Sequence, residues 1–156
     1  MKKFTTTFFI FSMVFCWVQS LNAQCVQCDT SSQATGYYSR VLGVGNISSG
    51  ETSLASGMSN TSSGDYSSSF GYGNIAEGMY SFAGGENCVA SGKRAFAFGR
   101  YAVSESSISL ALGSFNRAYG TNAIAMGCFV EATNENAVVI GKGSGDTSRI
   151  VNNKSN

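Results

Sequence analysis

Cys25-Val26-Gln27-Cys28 has the spacing of a dithiol redox centre or of half a zinc site, and it is where residue types in this 156-residue sequence first suggest chemistry. The sequence holds no second CxxC and no histidine, so no imidazole can complete a metal set or serve as a general base. Nothing around the pair reads as a thioredoxin-like strand and helix. Cys25 and Cys28 are therefore read as a small disulfide or as a staple of an N-terminal cap. Ile140-Gly141-Lys142-Gly143-Ser144-Gly145 has the flavour of a phosphate loop but not the G-x-x-x-x-G-K-[ST] spacing, and reads as a terminal turn. Glycan cleavage needs a facing pair of carboxylates. Glu51, Asp65, Glu77, Glu86, Glu105, Glu131 and Glu135 are instead read as scattered over several places in the repeat described below. Calcium-binding rolls repeat an aspartate, and only Asp65 and Asp146 lie in the array. Cys88 and Cys128 fall at different repeat positions, too far apart to bond, and read as free small residues on turns. The expectation is a protein with no catalytic residues, no cofactor and no metal. With 10 basic against 9 acidic residues there is also no basic face for a phosphate backbone, so nucleic acid is not an expected partner.

The start of the chain is built for export. Lys2 and Lys3 precede an apolar run from Phe8 to Val18, and a polar shoulder leads to Leu21-Asn22-Ala23. This is the order of a secretory signal peptide, with cleavage expected after Ala23. An apolar core of about 11 residues falls short of the roughly 20 that span a bilayer, and no other segment is longer, so membrane insertion is not expected. Without residues 1–23 the chain carries 8 positive and 9 negative side chains. It is expected at the cell surface or outside the cell, under oxidising conditions.

The elements that must position any remaining site come from a period of fourteen. Gly43, Gly57, Gly71, Gly85, Gly99, Gly113, Gly127 and Gly141 follow one another at that spacing without exception. Seven residues before each stands a second small or turn-forming residue: Gly36, Gly50, Gly64, Gly78, Gly92, Ser106, Gly120 and Asn134. Such self-similarity means stacked units. Fourteen residues are too few for a helical hairpin but suit two strands of four or five residues and two tight turns, one turn of a parallel β-coil. Eight coils at about 4.8 Å each make a rod roughly 38 Å long. The strict glycine marks a place that needs positive φ, or where another backbone approaches closely.

Side chains alternate along a strand, so the two faces before each glycine can be read apart. One face is tiny: Ser or Ala at 39, 53, 67, 81, 95, 109, 123 and 137, then Val41, Ala55, Ser69, Ala83, Ala97, Ala111, Ala125 and Val139. Residues this small fill only a thin gap, so the two sheets must lie closer than the usual ~10 Å. The other face is large and apolar: Leu42, Leu54, Phe70, Phe82, Phe96, Phe98, Leu110, Leu112, Ile124, Met126, Val138 and Ile140. A single coil leaves that stripe facing water, and an unbroken apolar stripe needs a partner. Full burial at about 1.5 to 3 kcal/mol per side chain, an upper bound, exceeds the ~4 to 15 kcal/mol cost of association. A symmetric homo-oligomer with stripes around a common axis is the economical solution. Arg40, Ser56, Ser68 and Gly84 interrupt the stripe in the early coils, Ser68 and Gly84 beside Phe70 and Phe82.

The segments S-L-A-L-G (109–113), A-I-A-M-G (123–127) and A-V-V-I-G (137–141), with steps such as Ala90-Ser91-Gly92 and Ala118-Tyr119-Gly120, resemble the head repeats of YadA-like trimeric autotransporter adhesins over about residues 34–147. The resemblance implies a left-handed parallel β-roll, three chains packed through their inner sheets, and display on a bacterial surface where heads bind matrix proteins or other surfaces. Family members continue into a neck, a stalk and a membrane anchor, whereas this sequence ends in a polar tail. It is read as the head portion, either of a longer adhesin or of a secreted head.

The organisation expected is a signal peptide at 1–23, an N-terminal cap at 24–35, the all-β roll of about eight coils at 36–147 and a polar tail at 148–156. The function expected is adhesion by a homotrimer to a matrix protein, a glycan or another surface, the alternative being a structural spacer or matrix component with no specific ligand. On the outer surface, the column one residue before the small-face serine holds Tyr38, Tyr66, Tyr80 and Arg94. Tyr66, Tyr80 and Arg94 would be neighbours about 4.8 Å apart, suited to stacking and cation–π contact, and are the candidate ligand surface. The same column also reads as a structural ladder covering the turns.

Overall fold

The computed structural model describes residues 23–143, with side chains from residue 29 onward. The signal peptide up to residue 22 and the polar tail at 148–156 lie outside the described residues, as do the side chains of Cys25 and Cys28. The backbone places both cysteines in one strand, Ala23–Cys28.

All described regular structure is β, and every pairing is parallel. Nine long strands form one sheet and eight two-residue strands form the other, each in simple chain order. Phe96 lies beside Leu110, Ala97 beside Ala111 and Gly99 beside Gly113, and this register of fourteen recurs from coil to coil. Each residue thus stacks on its counterparts in columns along the rod. The expected pair of similar strands is corrected: a coil has one strand of five residues, such as Phe96–Arg100, and one of only two, such as Val103–Ser104. The two corners take up the rest: Tyr101 turns the first at φ 52° and the next residue, Ala102, points inward, while residues 105–109 form the second. Hydrogen bonding nonetheless runs on around the corners, as in Tyr101 N–H to Glu86 O (2.9 Å) and Val103 N–H to Asn116 O (2.8 Å).

The segment 24–35, expected as a cap, contributes a further coil. Ala23–Cys28 pairs with the long strand Ser39–Val44, and Gln33–Ala34 pairs with Ile47–Ser48. Ala23 sits beside Ser39, sixteen positions away rather than fourteen, and the register slips between Val26 and Cys28. That offset hides the coil from a strict period. Asp29 ties its corner down, accepting bonds from Ser31 Oγ (2.6 Å), Ser32 Oγ (2.9 Å) and Gly45 N–H (3.1 Å). The Ser31 hydroxyl above all, then the Gly45 amide, lowers its carboxyl from the ordinary 3.8 to about 2. A carboxylate depressed in the folded state stabilises above its unfolded value, and that contribution is lost as pH falls from about 3.8 towards 2. Hydrogen exchange at Gly45 is therefore expected to quicken over that range, relative to amides in the middle coils. Asp29→Asn should remove the difference.

The core between the sheets is thin. It is lined by Ala55, Ala83, Ala97, Ala111 and Ala125, all fully buried, and among the described residues no fully buried side chain exceeds valine or asparagine in size. A second inward column, not singled out from the sequence, holds Asn46, Asn60, Asn74 and Asn116 at zero exposure. Asn74 Nδ2 donates to Phe70 O (2.8 Å) and Gly85 O (2.8 Å), and Asn74 Oδ1 accepts the Cys88 N–H (2.9 Å). Asn46 and Asn60 open the sequons Asn46-Ile47-Ser48 and Asn60-Thr61-Ser62, and their burial leaves neither amide open to glycosylation in the folded roll. Cys88 occupies the next place in this column, free, inward and fully buried. It lies at the corner between Phe82–Glu86 and Val89–Ala90, on a turn as expected but facing inward, whereas Cys128 is corrected, since it ends the strand Ile124–Cys128. Burial pushes the Cys88 thiol up, so it stays protonated at neutral pH. Its sulfur makes only weak contacts, such as 3.6 Å to Glu86 O. Cys88→Asn extends the amide ladder by one rung and is expected to stabilise the roll by about 1 kcal/mol. Thermal unfolding followed by circular dichroism should show a midpoint a few degrees higher.

Candidate binding surfaces

Three surfaces carry side chains that the fold itself does not bury. The first is the outer face of the long-strand sheet. Leu42, Phe70, Phe96, Phe98, Val138 and Ile140 are exposed there, with Ile140 at 66 % of its free area. Leu54, Phe82, Leu110, Leu112, Ile124 and Met126 in the same stripe are half-buried. The rings stack along the rod, Phe70 to Phe82 at 5.6 Å and Phe82 to Phe96 at 4.8 Å between centroids. Gly84 makes room for them. A Cβ there would lie 2.8 Å from Phe98 and 2.9 Å from Phe82, so the glycine in the stripe is a matched gap.

The second surface is the column of Tyr38, Tyr66, Tyr80 and Arg94. It sits on the turn leading into each long strand, every member at positive φ between 57° and 60°. Tyr66 and Tyr80 stack face to face at 5.1 Å with 14° between planes. Tyr66 Oη donates to Glu51 (3.3 Å), and the negative Glu51 carboxylate beside it disfavours the phenolate and holds the tyrosine pKa above its usual value. Arg94 takes the next place in the column, but the cation–π contacts among the described residues belong to Arg100.

The third surface was not legible as a site. At the corner after the long strand, Tyr101, Phe115 and Phe129 form an exposed ladder, with centroids 5.0 and 4.9 Å apart and planes within 15° and 1°. The Arg100 guanidinium lies 5.6 Å from the Tyr101 ring and 5.3 Å from that of Phe115. Beside the ladder runs a groove of about 530 Å³ whose other wall is the short-strand sheet, with Val103, Arg117 and Glu131. A fourteen-residue spacing of aromatics from 101 to 129 was the available signal.

Residues 62–87 and 109–127 match the family model of the YadA head domain repeat, in two copies. Two segments of the stack are thus similar to YadA head repeats, and the parallel stacking agrees with that likeness. In this roll the same register of fourteen continues through residues 88–108, between the matched segments. Those coils place Cys88 and Ala102 in the column where the two matched segments place Asn74 and Asn116. The YadA head is an adhesin-type structural family rather than an enzyme family, found at cell surfaces and homotrimeric in general. No curated protein matches the chain. Among the described residues, no helix is long and apolar enough to cross a membrane.

Proposed function

We propose that this chain is an exported adhesion head that works as a homotrimer, its three long-strand faces packed around a common axis and its outer surface holding a matrix protein, a glycan or another surface. The observation that carries the reading is the apolar stripe, which runs coil after coil on the outer face of the long sheet while the small face is fully used by the core. Stacking along the rod already shields much of each ring, so the gain on assembly lies well below the full-burial bound of roughly 1.5 to 3 kcal/mol per side chain. Summed over a dozen positions and three chains it still outweighs the association cost. Leu54, Phe70, Phe82, Phe96, Phe98, Leu110, Leu112, Ile124, Met126, Val138 and Ile140 are the interface proposed. Cys25 and Cys28 keep their proposed role as a structural disulfide in the first coil. Absolute mass by light scattering after size exclusion tests the assembly, with a trimer expected. A folded, soluble monomer would sink the reading and leave the alternative of a spacer.

A further inference from the structure

The Tyr101, Phe115 and Phe129 ladder departs from its own column. The preceding coils place Gly45, Ser59, Gly73 and Asn87 at this corner, and the repeat needs nothing larger there. Small, glycine-like or asparagine residues suit the left-handed backbone, whereas Tyr101, Phe115 and Phe129 hold φ of 52°, 55° and 55° with bulky side chains. The rings cover no core, since all three stay exposed. Three large residues in a costly conformation, on the surface, in consecutive coils, call for a use outside the fold.

The groove beside them states what kind of ligand fits. Its volume of about 530 Å³ suits a short oligomer of small rings. Val89, Val103 and Phe115 make its wall apolar, and Asn87 brings an amide. Arg117 and Glu131 stand opposite each other on adjacent short strands, so their charges offset and the lining is close to neutral. A neutral lining with apolar walls and a few polar groups matches a sugar chain, whose rings present apolar C–H faces and hydroxyl edges. It does not match a sulfated or phosphorylated one. The column's next residue after Phe129 is Gly143, which places no ring over the far face of Phe129. Coils recur at about 4.8 Å, close to the length of one pyranose. The groove also opens on the short-strand side: Ala90, Ser104, Ala118 and Ala132 point into the core, so their neighbours Val89, Val103, Arg117 and Glu131 point away from the long-strand face.

We propose that this groove, walled by Tyr101, Phe115 and Phe129 and by the short-strand sheet, is where the head binds a neutral oligosaccharide. The proposal rests on the adhesion reading and names its ligand class. In a trimer packed through the long strands, all three grooves stay open and act together.

The test is titration calorimetry of the purified protein with cellotetraose, chitotetraose and lacto-N-tetraose as neutral probes, and with sialyllactose and a heparin tetrasaccharide as charged ones. Mass is measured on the same sample. At least one neutral probe is expected to bind. Phe129→Ser and, separately, Val103→Arg, which fills the groove without touching the ladder, are expected to weaken it about tenfold or more. Glu77→Gln, on an exposed turn outside the groove lining, should leave it unchanged, and circular dichroism confirms that each variant is folded. A trimer that binds no neutral probe, binds only the charged ones, or takes an apolar peptide there instead overturns the groove proposal and leaves the adhesion reading standing. Sugar binding that survives both groove variants overturns it too. A monomer that binds sugar through the groove supports this site and removes the trimer.

Discussion

Replacing Phe96 and Phe98 together by serine is expected to turn the proposed trimer into a folded monomer. Both rings stand on the outer face of the long sheet at 38 % and 45 % exposure. In the single chain their substitution removes stacking on Phe82, at 4.8 and 6.4 Å, but opens no hole in the core, which lies on the opposite face of the same strand. In the assembly each ring would bury its remaining area, worth on the order of 1 kcal/mol. Two rings from each of three chains make that about 6 kcal/mol per trimer, roughly four decades in the association constant. Serine in their place also brings hydroxyls into an apolar seam, which adds to the loss. Light scattering should report the monomer mass while the β circular dichroism signal persists. If the double variant stays trimeric, the stripe is not the interface. If it unfolds, the rings matter to the coil itself, and Ile140→Ser, on a residue 66 % exposed, separates the two roles.

The second large effect belongs to the strict glycines. Gly99 sits at φ +128°, and a Cβ built on it would lie 2.0 Å from the carbonyl oxygen of Gly113 in the next coil. Both obstacles act together. A left-handed alanine costs about 1–2 kcal/mol, and the clash is with backbone, which moves only if the two coils separate. Gly99→Ala is expected to destabilise by more than about 4 kcal/mol, beyond the range of ordinary substitutions. Gly45→Ala is the matched control, since its φ is +63° but its nearest neighbour is a Ser31 or Ser59 hydroxyl at 3.6 Å. It should cost only about 1 kcal/mol. Urea unfolding of the two variants checks the difference, and equal losses would show that φ alone governs the column. The second mark separates the two obstacles within the chain: Gly92 is as crowded by the next coil as Gly99 but does not need positive φ, and Ser106 and Asn134 are accommodated in its column, so it is the combination at Gly99 that excludes a side chain.

Sequence alone determined the parallel stack, the unbroken glycine column, the tiny inward face and the apolar outward one. The cause is the constant register: when every residue stacks on its counterpart fourteen positions away, the demands of one place are written eight times over, and alternation within a strand assigns each place a face. Leu110-Ala111-Leu112-Gly113 shows both readings in four residues. The same logic failed at the corners. There direction depends on the sign of φ, which spacing does not encode, so Asn74 turning inward and Tyr101 turning outward could not be told apart by position. The asparagine ladder was further masked by Cys88 and Ala102, and the first coil by its offset of sixteen. Only the tertiary structure decided that the short strands have two residues, that Tyr101, Phe115 and Phe129 share one edge, and that a groove lies between them and the sheet. Those features arise where two corners and two sheets meet in space, and no single strand's pattern contains them.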